Sequence, residues 1–310
     1  MNIDTLKSAC IGLILILGGF FAMDRMLAIG LDHLVTQSQF RLSVVYRGGH
    51  HTDILALGNS RSVNAFYAPA LENRLNQRVF HLGYNGMSMV VAHALLADYL
   101  TDNHPPETLL LEVSNIGVNN DLLKAISPYI GRSERLRSLL KNEYPSLAST
   151  LTLSHLYRYN NEMFLRAGYY LNRSDQTWIN QGVLTQAQVD GFPPIIKTEN
   201  GNPYPVDGEG LNALLSIREQ CRKHKIKMVL VASPYLPQYL ERWPSYDLWL
   251  KSLQQHIGSD LKVHDYSRLL THVSDFADAI HINKQGSLKL LNAMISDGVL
   301  TPSAARTTLK

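Results

Sequence analysis

Short apolar runs alternate with amphipathic segments along most of the chain. The apolar runs predict strands at residues 53–57, 79–82, 108–113, 226–232 and 261–264. Helical spacing of apolar positions predicts helices at residues 66–75, 88–100, 211–224 and 284–295. Strands that alternate with helices predict an α/β fold in three layers, a parallel sheet with helices on both faces. Functional residues of such sheets lie at the carboxyl ends of the strands.

The N-terminus is a candidate membrane anchor. Residues from Ala9 to Met23 are apolar without a break, and after Asp24-Arg25 the sequence is again apolar through Leu31. At ~1.5 Å per helical residue the unbroken part extends roughly 22 Å, less than the ~30 Å hydrocarbon core, but the whole stretch is long enough to cross it. We therefore predict an N-terminal transmembrane helix within residues 1–31.

A cleaved signal peptide is the alternative interpretation of this segment. Lys7 before a compact apolar run is typical of such peptides. The cleavage motif is poor, however, because Phe20 precedes Ala22 at a position where a small residue is expected. The distribution of basic residues around the span does not by itself decide the orientation.

Residues 32–310 have the composition of a globular domain, 45% hydrophobic and 18% charged over the whole chain. A polar, helical neck is predicted from Asp32 to Tyr46. Between about residues 120 and 208 the alternation lapses, which indicates an insertion with helices of its own. The net charge of +3 arises from 29 basic and 26 acidic residues, and no basic run favours a nucleic-acid partner.

Three residues indicate acyl-transfer chemistry. Gly58-Asn59-Ser60 directly follows the first predicted strand, which places a serine hydroxyl at the strand's carboxyl end. Near the last strand, Asp278 precedes His281 by one turn, a spacing that allows the carboxylate to bind one ring nitrogen while the other faces a serine. Taken alone, Ser60 could be a helix N-cap, and one Asp-x-x-His could arise by chance. Because both motifs lie at strand ends, they together favour a Ser60-His281-Asp278 triad.

These residues resemble the ordered blocks of the SGNH, or GDSL-like, hydrolases and acyltransferases, whose sheet is flavodoxin-like. Gly58-Asn59-Ser60 corresponds to the nucleophile block, Gly83 to the second, Asn115 to the third, and Asp278 with His281 to the last. The resemblance implies an oxyanion hole formed by the backbone N–H groups of Ser60 and Gly83 and by the Asn115 side chain.

Two blocks depart from the family pattern. Asn59 replaces the usual aspartate before the serine, and the family's Gly-x-Asn-Asp is replaced by Val113-Ser114-Asn115-Ile116. Gly117-Val118-Asn119-Asn120 fits the letters slightly better but lies farther from the strand end. We select Asn115 for its position.

Within the family, an anchored N-terminus and an inserted middle segment resemble periplasmic proteins that O-acetylate exported polysaccharides, and proteins that assist D-alanylation of teichoic acids. The resemblance implies an O-acyltransferase, with its domain on the periplasmic side of the inner membrane, that acts on a glycan beside a multispanning membrane acyltransferase. The alternatives are an esterase or deacetylase with the same triad, and a non-catalytic scaffold or glycan-binding domain. No cofactor is implied.

Other candidate residues have ordinary structural interpretations. Arg61 could contact a substrate, but such a residue is more often salt-bridged or solvated. His50-His51 with Asp53 lack further ligands at a spacing that suits a metal. The aromatic residues of the insertion could stack on sugars, although a small core of that segment is favoured. They are Tyr157, Tyr159, Tyr169, Tyr170 and Trp178.

Overall fold

The computed structural model describes residues 3–117, 119–192, 206 and 208–303. Val118 and part of the predicted insertion, including residues 193–205, lie outside the described residues. The α-helices are α1 (Ile3–Gln37), α2 (Arg41–Arg47), α3 (Ser60–Ala65), α4 (Ala68–Leu75), α5 (Met89–Asp102), α6 (Leu122–Ala125), α7 (Glu134–Glu143), α8 (Pro145–Leu153), α9 (Glu162–Tyr169), α10 (Gln186–Asp190), α11 (Gly208–Lys223), α12 (Pro237–Leu240), α13 (Tyr246–Ile257) and α14 (Lys284–Ser296). The strands are β1 (Ile54–Leu57), β2 (Val79–His81), β3 (Thr108–Glu112), β4 (Lys227–Ala232) and β5 (Val263–Asp265). Short 3-10 helices cover Ser127–Arg132, Leu156–Tyr159 and Val273–Asp275.

The chain folds as two compact units. The N-terminal unit comprises residues 3–47 and 123–174, and the sheet unit comprises the described residues of 48–122 and 175–303. The boundary expected between residues 31 and 32 falls inside α1.

The sheet unit contains a parallel sheet with the strand order β2-β1-β3-β4-β5, formed by the described residues. Leu55 of β1 lies opposite Phe80 of β2 on one side and Leu109 of β3 on the other. This order is that of a flavodoxin-like sheet, with the reversal of direction between β1 and β3. The switch point therefore lies where β1 and β3 end.

Both faces of the sheet are buried. Ile54, Ala56 and Leu110 belong to a core cluster that also contains apolar residues of α4 and α14. Leu55 and Leu109, which alternate with them, are fully buried on the opposite face. On that side α5 packs against α11, and α11 contacts β4. The α/β fold with helices on both faces is therefore confirmed, and the continuous apolar strands follow from burial on two sides.

The N-terminal unit is helical in its described residues and has an aromatic core. Tyr129 stacks on Phe40 and Tyr46 with ring centroids 6.5 and 5.7 Å apart, and its hydroxyl lies 2.7 Å from Ser43 Oγ. The predicted continuous neck is interrupted here, because Ser38 Oγ accepts a hydrogen bond from the Phe40 N–H and ends the helical pattern between α1 and α2.

Among the described residues, α1 is the helix whose length and apolar composition would allow it to cross a membrane. A signal sequence near an N-terminus meets the same criteria.

Candidate active site

Ser60 is the first residue of α3 and follows the carboxyl end of β1 by a sharp turn. Gly58 has φ +136°, and a Cβ there would lie 2.9 Å from Ser62 Cβ and 3.1 Å from Glu112 Cβ. Only glycine tolerates that backbone conformation and that proximity. Asn59 then caps the helix, since its side-chain oxygen accepts the Arg61 N–H at 2.9 Å. The Ser60 hydroxyl is thus held at the sheet edge where β1 ends.

Asp278 and His281 lie on a narrow loop that immediately precedes α14. An antiparallel bridge between Phe276 and Ile282 closes the base of this loop. At its tip Asp278 Oδ1 accepts the backbone N–H groups of Ile280 and His281 at 2.9 and 3.0 Å. One carboxylate oxygen therefore shapes the loop, which leaves the other oxygen to the histidine ring.

The three side chains form a continuous hydrogen-bonded chain. Asp278 Oδ2 lies 2.8 Å from His281 Nδ1, and His281 Nε2 lies 2.7 Å from Ser60 Oγ. Desolvation by burial acts to raise the pKa of Asp278, but the hydrogen bonds from His281 and the two backbone N–H groups outweigh it, so the pKa lies below its ordinary value. An ionised Asp278 only accepts, so Nδ1 carries the imidazole proton and Nε2 is the acceptor for the serine hydroxyl.

The residues expected to bind an oxyanion differ in how well their positions suit that role. Gly83 lies against the turn that carries Ser60, because a Cβ on it would lie 2.7 Å from the Gly58 carbonyl oxygen and 3.0 Å from Ser62 Oγ. Asn115 follows β3, the neighbour of β1, and its Oδ1 accepts the Gly117 N–H at 2.8 Å. This bond uses the acceptor end of the carboxamide, whereas an oxyanion requires the donor end.

Arg61 forms a salt bridge, which was one of its two ordinary interpretations, but its burial was not predicted. Its side chain is buried, Nε donates to Ser114 Oγ at 2.6 Å, and Nη2 donates to the carbonyls of Ser233 and Pro234 at 2.6 and 3.0 Å. Nη1 donates to the Ile280 carbonyl in the loop of the aspartate and the histidine. The guanidinium also lies 3.5 Å from the centre of the Tyr235 ring. Arg61 therefore joins the turn that carries Ser60 to the loop that carries Asp278 and His281.

Glu112 balances the charge of this buried guanidinium. Its Oε1 lies 3.5 Å from Arg61 Nε and accepts the backbone N–H and the hydroxyl of Ser233 at 3.2 and 2.9 Å. It also accepts the hydroxyl of Ser114. The other carboxylate oxygen, Oε2, is buried and has no hydrogen-bond partner among the described residues. The hydrogen bonds to Oε1 and the nearby guanidinium therefore offset only part of the cost of burying this charge. An acidic residue at the end of an apolar strand, Leu109 to Glu112, was the signal available in the sequence.

The remaining candidate residues differ in their surroundings. Asp53 pairs with Arg78 at 2.9 Å, and no group of three His, Cys, Asp or Glu residues within the described ranges could hold a metal ion. Tyr159 is buried as expected for a small core, but Tyr157, Tyr169 and Trp178 are exposed. The expectation that these three belong to a core was wrong.

No protein-family model matches the sequence, and no curated protein matches it. Ten chains of solved structures match in a structural search. One of them, from Streptococcus pneumonia and provisionally described as a platelet activating factor, is 13% identical with a TM-score of 0.40, over 93% of this chain and 98% of that chain. A likeness at this level establishes no function.

Proposed function

We propose that this chain is a membrane-anchored serine-dependent enzyme that transfers acyl groups through an acyl-serine. The observation that carries the proposal is the chain of hydrogen bonds from Asp278 through His281 to Ser60, at 2.8 and 2.7 Å. Nucleophile, base and orienting carboxylate within hydrogen-bond reach are the arrangement by which a serine hydroxyl is activated.

The chemistry follows from the tautomer of the histidine. Nε2 of His281 takes the proton of Ser60 as Oγ attacks an ester carbonyl, and Asp278 stabilises the imidazolium. The tetrahedral intermediate then collapses, the leaving alcohol takes the proton from Nε2, and an acyl-serine remains. An acceptor hydroxyl gives its proton to Nε2 and attacks the acyl-serine. As this second intermediate collapses, Nε2 returns the proton to Ser60 Oγ, which restores the serine and the neutral imidazole.

The oxyanion donors are those that the family resemblance implies, namely the backbone N–H groups of Ser60 and Gly83 and the Asn115 carboxamide. The position of Gly83 against the Ser60 turn supports this assignment. Loss of one such donor costs on the order of 100-fold in rate. For Asn115 the proposal requires that Nδ2 faces the reacting carbonyl.

The acceptor we propose is a hydroxyl of an exported polysaccharide or other envelope glycan, and the acyl group is an acetyl. In this proposal α1 is a transmembrane anchor of the inner membrane, the sheet unit is periplasmic, and a multispanning membrane acyltransferase supplies the acyl group. The length and apolar composition of α1 support the anchor. The SGNH resemblance supports the partner and the glycan.

An esterase or deacetylase is the second candidate. The side chain of Asp278 is 50% exposed and that of His281 is 19% exposed, so water reaches the triad. Exclusion of water decides whether an acyl-serine is hydrolysed or transferred.

The decisive test is intact-mass spectrometry of the full chain in detergent after exposure to p-nitrophenyl acetate. We expect one acetyl adduct on the wild type and none on Ser60→Ala, since the hydroxyl is the acceptor. His281→Ala should acylate more slowly by at least 1000-fold, on the order of the loss seen when a triad member is removed. Ser216→Ala, which removes a hydroxyl on α11, is the matched control and should acylate normally.

Addition of candidate glycans then separates the two enzymes. Transfer forms a new ester on the glycan, whereas hydrolysis releases free acetate. If the wild type forms no adduct and releases no acid, the enzyme proposal is wrong and the scaffold interpretation is favoured.

A further inference from the structure

The two halves of α1 have different surroundings. In residues 3–23 nearly every side chain is exposed, whichever side of the helix it lies on. Beyond Met23 one side of the helix packs within the N-terminal unit, where Ala28, Val35 and Thr36 are buried and the helix contacts α2 and α9. The change from an unpartnered to a packed helix occurs at Asp24 and Arg25.

Asp24 and Arg25 fasten α1 to the turn between α8 and the following 3-10 helix. Arg25 donates to the last carbonyls of α8, those of Thr152 and Leu153, at 3.0 and 3.3 Å. Asp24 accepts the N–H of His155 at 2.8 Å and the hydroxyl of Ser154 at 2.6 Å. Each charge thus meets the helix end of opposite polarity, and this turn is fixed at the level of Asp24 and Arg25 along α1.

The depth of this turn in a bilayer can be inferred from the length of the apolar segment of α1. The unbroken run Ala9–Met23 extends roughly 22 Å, about 8 Å less than a hydrocarbon core of ~30 Å. A span shorter than the hydrocarbon core makes the bilayer thinner locally or draws flanking residues to the interface. Apolar side chains flank this run on the unpacked side of α1, where Met26 and Ile29 are 73% and 70% exposed. In the proposed anchor, these side chains place the bilayer surface past Arg25.

A bilayer at that level also meets the turn after α8. Leu153, whose carbonyl binds Arg25, is 76% exposed, and Tyr157 three residues past Ser154 is 47% exposed. An exposed leucine beside a tyrosine is typical of segments that insert into a membrane interface. We propose that the turn Leu153–Tyr157 enters the lipid interface beside α1, so that the N-terminal unit rests on the membrane. This rests on the membrane anchor proposed above.

The charges of Asp24 and Arg25 are compatible with this position. The two side chains form an ion pair with each other, and both also form hydrogen bonds with the ends of the two helices. Arg25 also lies over the Phe21 ring, 4.2 Å from its centre. A paired and hydrogen-bonded charge near a helix end costs much less at the edge of the hydrocarbon region than an isolated one.

Depth-dependent fluorescence quenching tests the proposal on the full chain. Single cysteines at Leu153, Leu15 and Gln37, in a background with Cys10→Ala and Cys221→Ala, carry an environment-sensitive dye. The protein is placed in phosphatidylcholine vesicles with a minor share of phosphatidylglycerol. The lipids are brominated either near the ester linkage or near the end of the acyl chain. Leu15→Cys marks the middle of the apolar run, and Gln37→Cys marks the distal end of α1.

We expect shallow bromines to quench the dye at Leu153→Cys about threefold more strongly than at Gln37→Cys, because interfacial segments enter ~5–10 Å into the headgroup boundary. The deep bromines should quench Leu15→Cys most. Equal quenching at Leu153→Cys and Gln37→Cys, with Leu15→Cys quenched, overturns the inference and leaves the anchor. No quenching at Leu15→Cys removes the anchor, and the inference with it.

A partner protein on the same surface gives a different result. In that case the dye at Leu153→Cys is shielded from aqueous iodide, yet neither brominated lipid quenches it, and the lipid proposal is wrong. Tyr157→Cys provides a second position in the same turn and should follow Leu153→Cys if lipid covers the turn.

Discussion

Asp278 has two separable tasks, one for each carboxylate oxygen. Oδ1 holds the loop through the N–H groups of Ile280 and His281, while Oδ2 binds the imidazole. The lowered pKa of Asp278 means that its ionised form is favoured in the folded protein. Its contribution to stability is therefore complete above the ordinary aspartate range, around pH 4, and is lost as the pH falls through the lower folded value.

Asp278→Asn separates these tasks. The amide oxygen still accepts the two loop N–H groups, but an amide nitrogen opposite Nδ1 forces the ring into the wrong tautomer. We expect the acylation rate to fall on the order of 10⁴-fold, with the unfolding midpoint little changed near pH 7. Stopped-flow acylation with an activated acetyl ester, together with circular dichroism, measures both. A variant of near wild-type rate would contradict the assigned role of Oδ2.

Arg61 and Glu112 form a buried pair whose members depend on each other. Arg61→Met leaves the Glu112 carboxylate buried without its counter-charge, and we expect the free energy of unfolding to fall by about 3–5 kcal/mol. Arg61→Met combined with Glu112→Gln should regain part of that loss, because no uncompensated charge remains. Urea denaturation in detergent measures both variants. The pairing is wrong if the double variant is less stable than Arg61→Met.

At the scale of elements, α14 begins where the histidine loop ends. Asn283 is buried and caps this helix, since its Oδ1 accepts the N–H groups of Gln285 and Gly286 at 3.0 and 3.2 Å. Its Nδ2 donates to the carbonyls of Gly182, Ser274 and Phe276. The Asn283 side chain thus both caps α14 and supports the histidine loop.

Two substitutions of Asn283 distinguish the cap from the amide donor. Asn283→Ser keeps a capping oxygen but loses the donor, and Asn283→Ala loses both. We expect Asn283→Ser to lower the free energy of unfolding by about 1–3 kcal/mol, for the carbonyls left unpaired. Asn283→Ala should lose about 1 kcal/mol more, the value of an N-cap. Chemical denaturation provides the comparison, and equal losses would exclude a capping role.

The regular elements were largely predictable because their signals are local. The predicted strands and the helices near residues 68–75, 89–102 and 284–296 agree with the observed ones within a few residues. The helix α3 was not predicted because it is only six residues long and mostly polar. The candidate site could be proposed from local signals as well. Ser60 directly follows a strand, and Asp278 lies within one turn of His281.

The environment of Arg61 was not predictable from local pattern. Its partners lie 53, 172 and 219 residues away along the chain, in segments that only the folded sheet brings together. A charged residue after a serine has no apolar periodicity to indicate burial, and surface exposure is the usual outcome. The placement of the Asn115 carboxamide depends on side-chain rotation, which the sequence does not encode.

At the scale of the molecule, α1 belongs partly to the folded body. Asp24 and Arg25 bind the turn after α8, and Asp32 pairs with Arg132 at 2.5 Å. We expect a chain that begins at Asp24 to remain folded in detergent, because it retains these contacts. A chain that begins at His33 loses all three and also Ala28, and should unfold at lower urea concentration. Size-exclusion chromatography and urea denaturation test this, and equal stability would contradict it.

The hydrogen bond between Ser60 and His281 joins residues 221 positions apart. A ribosome that adds ~5–20 residues per second makes the histidine roughly 10–45 s after the serine. Throughout that interval the growing chain contains Ser60 without His281, although α1 has long since been synthesised. Under the proposed function, truncated or stalled chains that end before His281 therefore carry an inert serine.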